Sequence, residues 1–276
     1  MLLKPLLKSF VALRTVQLFT NIRLMASAKL ETSSMMNNGN DPEDYSIPSL
    51  LVKQALRRSD AVCFDVDSTV ISEEGIDVLA EYCGVGNEVA QLTKDAMEGG
   101  MKFEDALEAR LDIIRPSRNS IANCLKAHPF RLSPGIKDLV NALHDNGKHV
   151  YLVSGGFHEM ITPVATTLDI PRHRIYANRI KFDNNGTYST YDNEELTCRD
   201  GGKAAVIERL KKEYGYNAVI MIGDGATDLQ ARPPADAFIG YGGVSERQNV
   251  KEGADWYVKD FKYVTNILTN KNDHEL

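Results

Sequence analysis

The stretch AVCFDVDSTV (61–70) decides how this chain is read. Its first four residues, Ala61 to Phe64, are apolar without alternation, the pattern of a strand covered on both faces in a parallel sheet. The run ends on Asp65 and Asp67, and a carboxylate at the end of a buried strand needs a reason to be there, because its desolvation is costly. Two carboxylates this close repel, so one tends to hold a proton while the other ionises. That division supplies a nucleophile and a general acid/base from one turn. Acidic pairs are common in solvated loops; position past an apolar strand sets this one apart.

The same rhythm recurs downstream. KHVYLVSGG (148–156), NAVIMIGDG (217–225), ADAFIGYGG (235–243) and ADWYV (254–258) are short apolar runs closed by turn residues. Helix-length segments such as GIKDLVNALHDNG (135–147) and GGKAAVIERLKKEYG (201–215) lie between most of them. The fold class this predicts is α/β: a Rossmann-like, doubly wound, mostly parallel sheet. Ligands in such sheets bind beyond the carboxyl ends of the strands. Those ends here carry DVDST, SGG and GDGATD.

Between about Ser72 and Pro129 the strand signal stops, and four helical segments follow the first strand: EEGIDVLAEYC, GNEVAQLTKDAMEGG, FEDALEARLDII and SRNSIANCLKAH. Ser117 fits an N-cap and Gly99-Gly100 a break. A β-hairpin is expected in RIKFDNNGTYSTYD (179–192), turning at Asn185-Gly186. The predicted organisation is a leader and linker over residues 1–50, an α/β core over 51–74 and 130–270, and a helical-bundle cap over 75–129.

Composition narrows the function classes. Of 276 residues 43% are hydrophobic and 25% charged, which is ordinary for a globular chain. A net charge of −6 gives no general electrostatic reason to bind nucleic acid or an anionic membrane. No run approaches the roughly eighteen apolar residues a membrane span needs. Cys63, Cys83, Cys124 and Cys198 form no CxxC pair, which points to a reducing compartment, the cytoplasm. Residues 1–30 hold Lys4, Lys8, Arg14, Arg23 and Lys29 and no acid, leaving −11 on the rest. Such a leader fits an organellar transit peptide, so a mitochondrial or plastid destination is the alternative if it is used; a start at Met25 would remove it. The six histidines show no metal-ligand spacing and receive no role.

Three further features gather with the acid pair. Gly223-Asp224-Gly225-Ala226-Thr227-Asp228 places more carboxylates after another strand, and acids meeting at one sheet edge call for a hard cation such as Mg²⁺. Ser154-Gly155-Gly156 offers a hydroxyl and glycine amides suited to phosphate oxygens. Lys203 follows Gly201-Gly202 at a helix start, where its charge could offset a phosphoryl group.

The order acid pair, hydroxyl, lysine, second acid pair resembles the haloacid dehalogenase-like hydrolase superfamily. FDVDSTV, the helical insert, SGGF, GGK and MIGDGATD look like its phosphoserine phosphatase family, over about Ser59 to Phe261. The resemblance implies a small-molecule substrate, O-phospho-L-serine, hydrolysed through an aspartyl-phosphate in the last step of serine biosynthesis. It makes Asp65 the nucleophile and Asp67 the general acid/base. One Mg²⁺ per subunit would be held by Asp65, the Asp67 carbonyl and Asp224, with Asp228 behind them. Ser154, Gly155, Gly156, Lys203 and Thr227 would serve the phosphate. Glu74 would take the substrate ammonium and Arg110 its carboxylate, with Met97 and Phe103 as apolar lining and Arg247 as a further substrate-side residue. Glu98 departs from the family, which has glycine directly after this methionine.

Two alternatives stay open on the sequence. One keeps the chemistry and changes the phosphomonoester. The other is a phospho-accepting, receiver-like signalling domain, against which stand Asp67, a water-activating base beside the nucleophile, and a cap suited to substrate exclusion. A homodimer is compatible with the chain, and no feature of the sequence specifies one.

Overall fold

The computed structural model describes residues 46–270; the basic leader, the linker up to residue 45 and residues 271–276 lie outside the described residues. Helix α1 (Leu50–Arg58) begins where the Ser49 hydroxyl accepts from the Val52 amide at 3.3 Å. It leads into β1 (Ala61–Phe64), all four residues of which are buried. Four helices follow, α2 (Gly75–Tyr82), α3 (Gly86–Gly99), α4 (Phe103–Ile114) and α5 (Arg118–Ala127), one for each expected segment. Ser117 caps α5 through the Ser120 amide at 2.9 Å. Gly100, at φ 66°, takes the left-handed conformation that lets the chain turn away from α3.

The core then continues through α6 (Ile136–Asp145), β2 (His149–Phe157), α7 (His158–Thr167), β3 (Ile175–Asn178), β4 (Ile180–Phe182) and β5 (Tyr188–Tyr191). After these come α8 (Gly202–Tyr214), β6 (Val219–Gly223), α9 (Ala226–Leu229), β7 (Ala237–Tyr241), α10 (Gln248–Gly253), β8 (Trp256–Val258) and α11 (Lys262–Thr269). The main sheet has the order β3-β2-β1-β6-β7-β8, with every pairing parallel. This is the doubly wound sheet expected, with one addition, β3, which the sequence does not signal as a strand. The chain runs outward from β1 to β3, then returns to the other side of β1 to lay down β6, β7 and β8. That reversal opens a crevice beside β1, the place where open α/β sheets bind ligands.

Alternation along β1 explains why both faces are covered. Val62 and Phe64 pack with Leu56, Leu139, Ile161 and Val264 from α1, α6, α7 and α11. Ala61 and Cys63 pack with Val206, Ile207 and Leu210 from α8. A third apolar cluster joins Leu79, Leu107, Leu111 and Ile121 of the helical insert to Ile180, Tyr188 and Phe157. Burying each such leucine contributes about 1.5–3 kcal/mol, so the insert has apolar support of its own.

β4 and β5 pair antiparallel as the expected hairpin. Asp183 Oδ1 accepts from the Asn185 and Thr187 amides at 2.9 Å each, and the tip carbonyl of Gly186 accepts from Arg118 of α5 at 2.9 Å. The segment leaving the core for α2 runs beside the one returning from α5. Ile71 pairs with Leu132 in an antiparallel bridge, and the Glu73 carboxylate receives Arg131 Nε at 2.7 Å and the Arg131 amide at 3.0 Å. Ser46, at the end of the stretch read as linker, is fastened to β8: its carbonyl accepts from the Trp256 indole at 2.7 Å. All four cysteines are free. Among the described residues no helix is long and apolar enough to cross a membrane.

Candidate active site

Asp65 leaves the end of β1 with its amide still bonded to the Ile222 carbonyl at 2.9 Å, so the sheet itself fixes its position. Its Oδ1 accepts from the Val66 amide at 2.7 Å, and its Oδ2 lies 2.9 Å from Lys203 Nζ. Lys203 is the second residue of α8 and also donates to Asp228 Oδ1 at 2.6 Å. Burial alone would lower the lysine pKa, but Asp228 and Asp65 together hold it well above its ordinary value. The ammonium is therefore permanent.

The second acid loop meets the first. Asp224, just past β6, accepts from Thr69 Oγ1 at 3.1 Å and from Arg247 Nε at 3.1 Å. Asp228 accepts from the Gly225 amide at 2.9 Å, and its carboxylate lies so close over Gly223 that a side chain there would overlap it. Asp65, Asp224 and Asp228 each offer a carboxylate oxygen, all within 4.8 Å of one another, and all three residues are buried. Burial pushes the Asp224 and Asp228 carboxyls up, with Asp65 adding repulsion in both cases. Three buried carboxylates against two cations, Lys203 and Arg247, leave negative charge uncompensated. A small divalent cation with oxygen ligands fits that donor set.

Asp67 stands apart from this trio. Its Oδ1 accepts from the Gly75 amide at 2.7 Å, at the start of α2, and its Oδ2 accepts from Ser154 Oγ at 3.4 Å. The carboxyl is pushed up to about 7, first by burial and then by Glu74 and Asp65, against the Gly75 amide and Lys203. Ser154 is fully buried where β2 departs from the β3 register, and its Oγ accepts from the Gly156 amide at 2.9 Å. A Cβ on Gly156 would stand 2.9 Å from Asp67 Oδ2, so glycine lets the two loops approach. Thr227 is partly buried on α9 beside Gly225.

The residues expected on the substrate side divide. Glu74 is the N-cap residue of α2; its Oε1 accepts from Ser68 Oγ at 2.7 Å and lies 3.8 Å from Arg247 Nη2. Arg247 thus spans Glu74 and Asp224. Phe103, the first residue of α4, lays its ring against Gly155. Arg110 is partly buried; its Nε is tied to the Ala106 carbonyl at 3.0 Å, and its charge faces Asp77 and Glu74. Met97 falls on α3, with its side chain and that of Glu98 outside the described residues.

Some residues at the site escaped the sequence reading. The Gly75 amide holds Asp67; its position directly after Glu74, at a helix start, was the available signal. Asp77 faces Arg110 from the first turn of α2, a relation invisible to spacing. Ser68, at φ 53°, bends the acid loop so that its hydroxyl reaches Glu74. Asn178 and Thr197 sit behind the Ser154 loop, and Asn178 ends the one strand that went unrecognised.

Residues 59–236 match the model of the haloacid dehalogenase-like hydrolases. The phosphoserine phosphatase of Bos taurus is 50% identical over 203 residues, 74% of this chain and 90% of its own length. The chloroplastic phosphoserine phosphatase of Arabidopsis thaliana is 47% identical over 240 residues, 86% of this chain and 80% of its own. A solved substrate-bound phosphoserine phosphatase complex superposes with a TM-score of 0.65 at 26% identity, covering 75% of this chain and 96% of that one. The family match spans both acid loops, the Ser154 turn and Lys203, and with these relatives the chain belongs to the haloacid dehalogenase-like hydrolases, in the phosphoserine phosphatase family.

Proposed function

We propose that this protein hydrolyses O-phospho-L-serine to L-serine and phosphate, with Asp65 as nucleophile and Asp67 as general acid and base. The observation that carries the reading is the pairing of the two carboxyls. Asp65 Oδ2 lies 2.9 Å from the Lys203 ammonium, while Asp67, pushed up to about 7 by burial and then by Glu74 and Asp65, keeps a proton available near neutrality. The kinship with phosphoserine phosphatases supports the choice of substrate.

In the first step an Asp65 carboxylate oxygen bonds to phosphorus as the bond to the serine oxygen breaks. Asp67 delivers its proton to that departing oxygen. The Asp67 carboxylate then takes a proton from water, whose oxygen attacks the aspartyl-phosphate and releases phosphate and free Asp65. Ser154, the Gly155 and Gly156 backbone and Lys203 hold the phosphoryl oxygens while charge redistributes, and Thr227 helps to fix them. Asp65, the Asp67 carbonyl and Asp224 would hold one Mg²⁺, with Asp228 behind. When bound, it supplies positive charge between the carboxylates and the phosphate.

Substrate choice falls to the helical insert, residues 75–129, acting as a cap on the core of 51–74 and 130–270. Glu74 takes the ammonium, Arg110 the carboxylate, and Phe103 and Met97 the apolar side, with Arg247 steadying Glu74. The protein works in the cytoplasm, or in a mitochondrion or plastid where the basic leader serves as a transit peptide; the mass of the mature N-terminus distinguishes the two.

Multiple-turnover phosphate release tests the function on phosphoserine, phosphothreonine and sugar phosphates, each with Mg²⁺ and with EDTA. Phosphoserine preferred, with EDTA abolishing turnover, is the expected result. Preference for an ester without an amino-acid backbone, or labelling that stops at one phosphate per chain, overturns it.

A further inference from the structure

We infer that Asn178, a residue too deep to touch substrate, is the positioning residue for the phosphate-binding turn Ser154-Gly155-Gly156. β2 and β3 are in register at Val153 opposite Tyr176 and again at Phe157 opposite Asn178, so β2 takes four residue steps where β3 takes two. The turn bulges out of the ladder, and its peptide groups lose their sheet partners. Some other group must hold them in one orientation if they are to meet a phosphate without reorganising.

Asn178 does this. Its side chain is fully buried, and Nδ2 donates to the Gly155 carbonyl at 2.8 Å. Because a carbonyl only accepts, the amide nitrogen and not the oxygen must face Gly155. Fixing that carbonyl also fixes the other end of the same peptide unit, the Gly156 N–H, which donates to Ser154 Oγ at 2.9 Å. With its lone pair so engaged, the Ser154 hydroxyl points its hydrogen at Asp67 Oδ2, 3.4 Å away. Behind Asn178 the line continues, since Thr197 Oγ1 donates to Asn178 Oδ1 at 2.9 Å.

Every donor from Thr197 to Ser154 therefore points the same way, through Asn178 and one peptide unit, toward Asp67. Aligned bonds of this kind polarise one another in a low-dielectric interior. Thr197 is also the residue through which the Lys203 loop is reached. It lies in a single 3-10 turn, Leu196–Cys198, and Gly202 beneath that turn has no room for a side chain. Asn178 thus couples the two segments that grip the phosphoryl group, Ser154-Gly155-Gly156 and Lys203, whose roles rest on the function proposed above.

Asn178→Asp tests this with little change of shape. It still accepts from Thr197 but sets an oxygen against the Gly155 carbonyl. Thr197→Val is the milder companion, should Asn178→Asp fail to fold. Three readouts are compared with the wild type in the presence of Mg²⁺: kcat on phosphoserine, the inhibition constant of orthovanadate, and that of L-serine. Expected for Asn178→Asp is a fall in kcat and in vanadate affinity of about 10- to 100-fold, the range for residues that orient a direct ligand. L-serine inhibition should stay within about twofold, because its ammonium and carboxylate are taken by Glu74 and Arg110, away from this turn. Thr197→Val should move the same two quantities in the same direction by a smaller factor. Unchanged kcat and vanadate affinity in either folded variant overturns the inference, as does an equal weakening of vanadate and L-serine, which marks a general loosening. If the wild type fails to turn over phosphoserine, the proposed function falls, while vanadate affinity, measured by equilibrium binding, still judges Asn178.

Discussion

The Phe103 ring lies against Gly155 so closely that a methyl group on that glycine would stand 2.9 Å from its Cζ. The first residue of α4 and the Ser154-Gly155-Gly156 turn are therefore in direct contact, and the insert can seat itself only because position 155 has no side chain. Gly155→Ala should lower kcat/KM by about 10- to 100-fold, the scale of a displacement of about an ångström at a reacting centre. Adding Phe103→Leu should return part of that loss. Steady-state kinetics of the two single variants and the double variant measure the coupling, and strict additivity would show that the two residues do not compete for space.

Asp65→Asn keeps the shape of the proposed nucleophile and removes its charge. Turnover should fall by about 10⁴-fold or more, as for other members of a covalent catalytic unit. The variant should remain folded and still bind orthovanadate in Mg²⁺. Near-normal turnover would assign the nucleophile elsewhere.

Lys203 is wedged between Asp65 and Asp228 at 2.9 and 2.6 Å. Lys203→Met leaves both carboxylates without their shared cation, and breaking a buried pair from one side costs about 3–5 kcal/mol. Urea unfolding in EDTA should show that loss at pH 8. It should shrink at pH 5, where Asp228, already pushed up by burial, takes up a proton instead. A loss that is the same at both pH values would mean that the acids are not what Lys203 stabilises.

His158 carried no role in the sequence, and the structure gives it a consequence for acid stability. It is 8% exposed, and its Nε2 has no partner among the described residues. Burial, and then Arg179 and Arg172, pull its pKa down to about 4. The folded protein keeps this histidine neutral, whereas the unfolded chain protonates it below about 6.5. Stability is therefore lost as pH falls from about 6.5 to 4, by up to about 3 kcal/mol. His158→Phe should flatten that slope in unfolding measurements; an unaltered slope would place the acid sensitivity elsewhere.

Bound as proposed, Mg²⁺ should stabilise as well as activate, because only folding assembles the carboxylates that would hold it. At a hundred times its dissociation constant it should add about 2.7 kcal/mol, seen as a rise in melting temperature that EDTA reverses. Asp224→Ala should abolish most of that rise.

The sheet was legible because four of its five recognised strands are apolar runs stopped by an acid, a hydroxyl or a glycine, as at Phe64-Asp65, Val153-Ser154 and Gly223-Asp224. The helices were legible from spacing, and Ser117 from its place before one. β3 was not, because Ile175-Tyr176-Ala177-Asn178 runs straight into Arg179 of the hairpin with no glycine, proline or acid to close it. With it went Asn178, whose partners Gly155 and Thr197 come from two other segments. The bond from Arg247 to Asp224 and the facing of Arg110 by Asp77 are likewise set by the fold, which no local pattern records.

Ile71 and Leu132 sit opposite each other, so the polypeptide departs from the sheet and rejoins it at a single point. Apart from Gly75, whose amide holds Asp67, and Phe103, which rests on Gly155, the stretch between them could lengthen or shorten without moving a strand by one register position. Much of the excursion can thus be remodelled apart from the sheet that carries both acid loops.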